Sequence, residues 1–186
     1  MKLVALPRIE TERTCLRLMD PQGANLMLDF RLENRDHLTQ WEPKRSPEFF
    51  SVPFWQAQFR AAIREFRSGA SVCLVILSKD ESEVLGVCNY TNIIRGTFEA
   101  AHLGYALAEK HQGKGIMFEA LYSSKDYIFN VLKLHRIIAN YLPRNRRSGA
   151  LLERLGFEIE GEAKELLKIN GVWEDHVMTS LINPRS

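Results

Sequence analysis

Residues 109–121 read Glu109-Lys110-His111-Gln112-Gly113-Lys114-Gly115-Ile116-Met117-Phe118-Glu119-Ala120-Leu121. A short polar loop with two glycines runs into apolar residues at helical spacing, continued by Ile128, Val131 and Leu132. Phe98 to Leu107 before the loop reads as a strand, and Arg136 to Tyr141 after the helix as another. Strand, loop, helix, strand is a βαβ unit, whose two strands are expected to run parallel. The first N–H groups of the helix lack partners within it, and the helix dipole adds positive potential. Such a helix start holds anions, with pyrophosphate the usual occupant. Two nucleotide-binding patterns fail. A Walker A loop would need glycine at Ala108 and Ser or Thr at Gly115, and a dinucleotide fingerprint would need glycine or alanine at Phe118. By itself Gly-x-Gly fits a bare strand-to-helix turn equally well.

Working outward, Thr14 to Met19 alternates as a first strand, and Asp20-Pro21 caps and opens a helix through Leu26, Met27 and Phe30. Asn34 to Pro53 is rich in proline and aromatics and reads as a structured loop. A helix then carries Trp55, Phe59, Ala62, Ile63 and Phe66 on one face and ends at Gly69. The apolar runs Val72–Leu77 and Val84–Tyr90 join the Phe98–Leu107 strand in an antiparallel meander. Pro143 and Asn145 open a short helix with Leu151, Leu152 and Leu155 inside, closed by Gly156-Phe157. Two last strands meet at Asn170-Gly171, a strong hairpin signal. The expectation is an α+β chain: a mixed, mostly antiparallel sheet of about seven strands, with helices on both faces. It is read as a single domain over 1–186.

The composition, 45% hydrophobic and 26% charged, suits an ordinary globular chain, and a net charge of +2 gives no general pull toward nucleic acid. DNA binding is therefore not expected. No run is apolar for long enough to span a membrane, and the start Met1–Arg8 is too short and too soon charged for a signal peptide. Cys15, Cys73 and Cys88 are odd in number and lie in apolar runs, so free buried thiols are expected, and with them a cytoplasmic location. Neither a Cys-x-x-Cys pair nor a histidine cluster suggests a metal.

A second constellation gives the glycine loop a context. Tyr141-x-Pro143-x-Asn145-x-x-Ser148 starts the next helix and Leu155-Gly156-Phe157 ends it. Glycine loop, helix, strand, Asn-x-x-Ser and Leu-Gly-Phe, in that order, resemble the signature of the GNAT superfamily of N-acetyltransferases. The resemblance extends from Arg13-x-x-Leu16-x-Leu18 to Trp173-x-Asp175-His176. It is most specific to the RimJ/RimL branch, which acetylates the N-terminal amines of ribosomal proteins. Trp41-Glu42-Pro43, Gly86-Val87-x-Asn89-Tyr90-x-Asn92, Leu103-Gly104-Tyr105, His135-Arg136-Ile137 and Arg147-Ser148-Gly149 carry that narrower match. One departure is Lys110, where the superfamily usually has Gln or Arg.

The resemblance implies acetyl-CoA as co-substrate, with Gln112, Gly113, Lys114, Gly115, Ile116 and Met117 on its pyrophosphate. Tyr105, Ala106 and Leu107 would lie along the pantetheine arm, and Asn145 would reach the arm's amides. Arg144, Arg146 and Arg147 flank that position; at least one is expected to be only a solvated basic residue. The implied acceptor is the N-terminal alanine of a small-subunit ribosomal protein (protein five), with the assembling small subunit as a wider partner. GNAT chemistry is direct attack of an amine on a thioester. An α-amine, with a pKa of about 7.7–8.0, is roughly a tenth neutral at pH 7, whereas a lysine amine near 10.4 almost never is. A mild base therefore suffices, and His102 is the candidate, ahead of Glu99. Glu119 is expected to cap or pair within its own helix. Ser148 is the candidate acid for the departing thiolate, with helix-start capping as its plainer role. Trp41, Glu42, Asn89, Asn92 and Asp175 are candidate acceptor-side residues, a carboxylate serving to hold the cationic amine. Two further readings stay open: acetylation of another N-terminus or a small amine, and a ribosome-assembly factor that binds acetyl-CoA.

Overall fold

The computed structural model describes residues 5–185, so the reading of Met1–Val4 lies outside the described residues. The elements run β1 (Arg8–Glu10), β2 (Thr14–Arg17), α1 (Ala24–Glu33), α2 (Arg35–Thr39), α3 (Val52–Ser68), β3 (Val72–Ser78), β4 (Val84–Ile94) and β5 (Ala100–Leu107). They continue with α4 (Ile116–Asp126), β6 (Arg136–Tyr141), α5 (Arg146–Arg154), β7 (Glu158–Ile169) and β8 (Val172–Ile182). One sheet of eight strands has the order β1-β2-β3-β4-β5-β6-β8-β7. All neighbours are antiparallel except β5 and β6. The strand beyond the expected seven is β1, three residues pairing with β2, too short for an alternation pattern.

The apolar run of β3 is explained by burial on both faces. Leu74 and Ile76 join the core formed with Ile116, Met117, Ala120 and Leu121 of α4 and Leu152 of α5. Val75 and Leu77 join the one formed with Met27 and Phe30 of α1 and Trp55 and Phe59 of α3. Helices thus cover both faces, α1–α3 on one and α4–α5 on the other. The expected continuation of α4 differs: Tyr127–Val131 is π-helical, and Val131 is 59% exposed rather than on the core face. Cys15 and Cys88 are buried, whereas Cys73 is half-buried beside Ser71; all three are free.

The Asn34–Pro53 segment is more regular than a loop, holding α2 and the 3₁₀ turn Pro47–Phe50. It folds around a buried cation. Arg31 is 6% exposed, and its guanidinium lies 5.1–5.4 Å from the ring centres of Phe30, Phe49 and Trp55. Its Nη1 donates to Glu42 Oε1 (2.9 Å), and Arg45 Nη2 donates to Glu42 Oε2 (2.8 Å). Burial pushes the Glu42 carboxyl up, but the two guanidinium groups outweigh it and hold the carboxyl below its usual range.

Glu42→Ala leaves Arg31 buried without its counter-charge, and is expected to cost about 3 kcal/mol in urea unfolding. In the wild type, the depressed Glu42 pKa means that this stabilisation is complete above about pH 4.3, the unfolded carboxylate value. It is lost as pH falls through the lower folded value, so urea midpoints of wild type and variant should converge in acid.

Candidate active site

Parallel pairing of β5 with β6 covers only Ala100–His102 against Arg136–Ile138. Beyond it the strands part. β4 still pairs with β5 as far as Leu107, and β8 still pairs with β6 as far as Tyr141. Backbone groups of Leu103 to Leu107 that face away from β4 therefore have no strand partner, and a notch opens in the sheet. Tyr105, Ala106 and Leu107 form its β5 edge, where an extended chain bearing amides can pair.

Side-chain alternation divides the chemistry across the notch. Along β5, Tyr105 faces the α4–α5 side, whereas His102, Gly104 and Ala106 face the α1–α3 side. Asn89 and Thr91 sit opposite Gly104 and His102 on that second face. A Cβ on Gly104 would meet nothing within 4 Å, so the surface beside His102 is open. His102 Nδ1 is buried without a hydrogen-bond partner among the described residues.

On the α4–α5 side the Tyr105 hydroxyl lies 2.6 Å from Ser148 Oγ. Burial pushes the Tyr105 phenol up to about 12, so it keeps its proton through neutral pH. Ser148 is held at the start of α5, where Asn145 Oδ1 accepts from the Ser148 N–H at 3.2 Å. Asn145 is thus the helix cap, and its Nδ2 has no partner among the described residues. Gly149 lets the helix close on β6, because a Cβ there would stand 2.9 Å from the Tyr141 ring.

The glycine loop is braced from three sides. Gly113 and Gly115 both adopt positive φ (+72° and +76°), and no side chain caps α4. A Cβ on Gly113 would meet nothing within 4 Å, which leaves space above the helix start for an anion. Arg13 Nη1 donates to Lys114 O at 2.8 Å, and Arg13 also donates through Nε and its backbone N–H to Glu119. Glu119 therefore pairs across elements, not within its own helix. Arg147 Nη1 donates to Gln112 Oε1, while Gln112 Nε2 lies 2.8 Å from His37 Nε2 of α2. Lys110 pairs with Glu33 and Glu83 at the surface, away from any part in the loop's backbone geometry.

Several expected acceptor-side residues do other work. Glu42 is neutralised by Arg31 and Arg45 and is no free carboxylate for an amine. Asp175 accepts from the Lys164 ammonium and the Glu165 N–H (both 2.8 Å), holding the β7 irregularity between Ala163 and Leu167. Asn92 sits at a β4 bulge with φ +50°, exposed, while Asn89 remains on the His102 face. Glu99 is paired with Arg95 and the Gly96 N–H. Trp41 lies beneath Arg144 (5.5 Å), which also binds Gln40 O and Glu174. Arg144 is thus a clamp joining the 40–45 loop to the β7–β8 hairpin, and Arg146 is the solvated member of the basic trio.

The Tyr105 phenol, separated from Ser148 by 43 residues, was not legible as a partner of that serine. Nor was the Arg31–Glu42–Arg45 network. The Arg13 brace did have a signal, since Arg13 opens a matched segment, but its partners are more than a hundred residues away.

The chain matches the acetyltransferase (GNAT) domain family over residues 13–158. It is 44% identical over 178 residues to the [ribosomal protein uS5]-alanine N-acetyltransferase of Escherichia coli K12, covering 95% of this chain and 91% of that one. The crystal structure of the ribosomal-protein-S5-alanine acetyltransferase of Vibrio fischeri superposes with a TM-score of 0.91 at 40% identity, over 96% of this chain and 97% of that one. Mycobacterium smegmatis RimJ, solved in complex with CoA-disulfide, superposes at 0.88 with 28% identity, over 97% of this chain and 88% of that one. The notched sheet, the braced glycine loop and these likenesses agree: the chain belongs to the GNAT acetyltransferases, enzymes whose acetyl donor is acetyl-CoA.

Proposed function

We propose that this chain, acting as one domain in the cytoplasm, transfers acetyl from acetyl-CoA to the N-terminal alanine of ribosomal protein uS5. The likeness to uS5-alanine N-acetyltransferases over nearly the full length supports the acceptor. The observation that carries the chemistry is the notch, with an unpartnered histidine on one face and a paired tyrosine and serine on the other. The enzyme meets its acceptor on the free protein or on the assembling small subunit.

The pyrophosphate of acetyl-CoA binds the backbone N–H groups of Gly113 to Met117, and the pantetheine arm pairs with the β5 edge at Tyr105 to Leu107. Asn145 Nδ2 donates to an amide of the arm. The thioester then lies in the notch, between the two chemical faces. The neutral amine approaches from the α1–α3 side, passing its proton to the His102 imidazole directly or through a water. Asn89 and Trp41 border that approach. As the tetrahedral intermediate collapses, the C–S bond breaks and the thiolate takes a proton from the Tyr105–Ser148 pair on the other face. A hydroxyl alone is a weak acid; two sharing a short hydrogen bond act as a relay. A backbone N–H of the β5 edge stabilises the oxyanion.

Gly113→Glu should abolish acetyl-CoA binding in calorimetric titration, since its carboxylate would occupy the phosphate position; unchanged affinity would remove the loop from the cofactor site. His102→Gln should lower kcat by about 10²-fold with the KM for acetyl-CoA unchanged. Tyr105→Phe and Ser148→Ala should each slow turnover, and the double variant should be no slower than the worse single one, because the two act as a unit. Thiol release with a free N-terminal alanine peptide of uS5 sequence, set against the same peptide with its N-terminus blocked, tests the acceptor; turnover of the blocked peptide would mean lysine acetylation instead.

A further inference from the structure

Beside the 40–45 loop, a depression of about 190 Å³ is bounded by α1, α2, the Pro47–Phe50 turn and Asn170 at the tip of the β7–β8 hairpin. Four cationic side chains, Arg31, Arg35, Lys44 and Arg45, line it against the single carboxylate of Glu42. Arg31 is the unusual member. It is 6% exposed, yet of its five N–H donors only one, on Nη1, has a partner, and Nε is buried with none. Glu42 is its counter-charge, and Nη2, with no hydrogen-bond partner among the described residues, is the donor group left over. Arg35 is exposed, has no ion pair among the described residues, and lies 4.7 Å over the Phe50 ring. The aromatic walls, Phe49 and Phe50, keep both guanidinium planes in place.

The depression adjoins the β7–β8 hairpin and, through α2, the glycine loop. The Asn170 N–H donates to Glu42 O at 2.9 Å, joining the hairpin to its wall. Arg144, next to Asn145, reaches Gln40 O, and His37 of α2 meets Gln112 of the glycine loop.

We infer that this depression is a carboxylate-binding subsite for an acidic side chain of the acceptor polypeptide, a few residues downstream of the amine that is acetylated. The inference rests on the acceptor being a protein N-terminus and deepens that reading by naming a specificity determinant. A side-chain carboxylate matches the site: it is planar, suits guanidinium bidentately, and reaches between aromatic walls on a flexible stem. A phosphodiester backbone is less suited to a guanidinium sunk this deep. The Glu42 carboxylate already satisfies one side of Arg31 and Arg45, leaving excess positive charge for a second anion.

The test compares two acceptor peptides with a free N-terminal alanine, one carrying glutamates at positions three to six and one with glutamines there. Wild type is expected to favour the acidic peptide in kcat/KM by about tenfold, as for a charge-assisted hydrogen bond. That preference should shrink with added salt and vanish in Arg35→Gln/Lys44→Gln, two exposed positions outside the catalytic groups, while turnover of the glutamine peptide is unchanged. Equal kcat/KM for the two peptides in wild type would overturn the subsite and leave N-terminal acetylation standing. If neither peptide turned over, the N-terminal reading would fail. The two peptides would then be compared by calorimetric binding to the CoA complex, where tighter binding of the acidic one sustains the subsite and equal affinity overturns it. Displacement of the acidic peptide by a short single-stranded RNA, with no discrimination between the peptides, would assign the charge to nucleic acid and also overturn it.

Discussion

Three residue pairs of parallel ladder, Ala100–His102 on Arg136–Ile138, are the constraint on which the rest of the structure depends. If the pairing ran the full length of both strands, the sheet would be continuous and would hold nothing. Because it stops, β5 continues with one edge unpaired while β6 remains tied to β8. Parallel ladders are slightly weaker per residue than antiparallel ones, so the seam between the two antiparallel halves is where a sheet parts at least cost. Helices on both faces keep the halves from drifting: α4 packs on the β3–β5 half, and α5 closes on β6 through Gly149 and Tyr141.

The notch turns a property of β-strands into a division of labour. Residues three apart on a strand face opposite sides, so His102 and Tyr105 are separated by the sheet itself. Proton removal from an amine and proton delivery to a thiolate need different environments. The half-open α1–α3 face and the buried Tyr105–Ser148 contact are two different environments. The acceptor side is built on a different physical basis, a charged network folded over aromatic rings. There Glu42 is paired with Arg31 and Arg45, and the local balance of charge is positive.

How much of this was legible in the sequence follows from the range of the interactions. The glycine loop, the Asn145 cap, the Gly156-Phe157 helix end and the Asn170-Gly171 turn are local, each decided within about six residues, and each stands where its residues implied. The strands of the meander were visible because two-face burial leaves continuous apolar runs. The three-residue β1 was not, nor was the π-helical turn at Tyr127, since neither carries a period long enough to detect. The ion pairs of Glu42 and Asp175 were missed for one reason: a carboxylate beside a cleft-lining motif looks free until its cationic partners are known.

By itself the sequence determined the order of elements, the glycine-bearing helix start and the family, because these depend on neighbours in the chain and on motifs whose spacing is preserved along it. Only the tertiary structure decided where β5 and β6 part and which hydroxyl Ser148 meets. It alone also decided that Arg13 braces the glycine loop from beyond a hundred residues away, and that Arg31 is buried with donors to spare. Those facts depend on distances between residues remote in the chain, and side-chain charge acquires its meaning only from what burial places beside it.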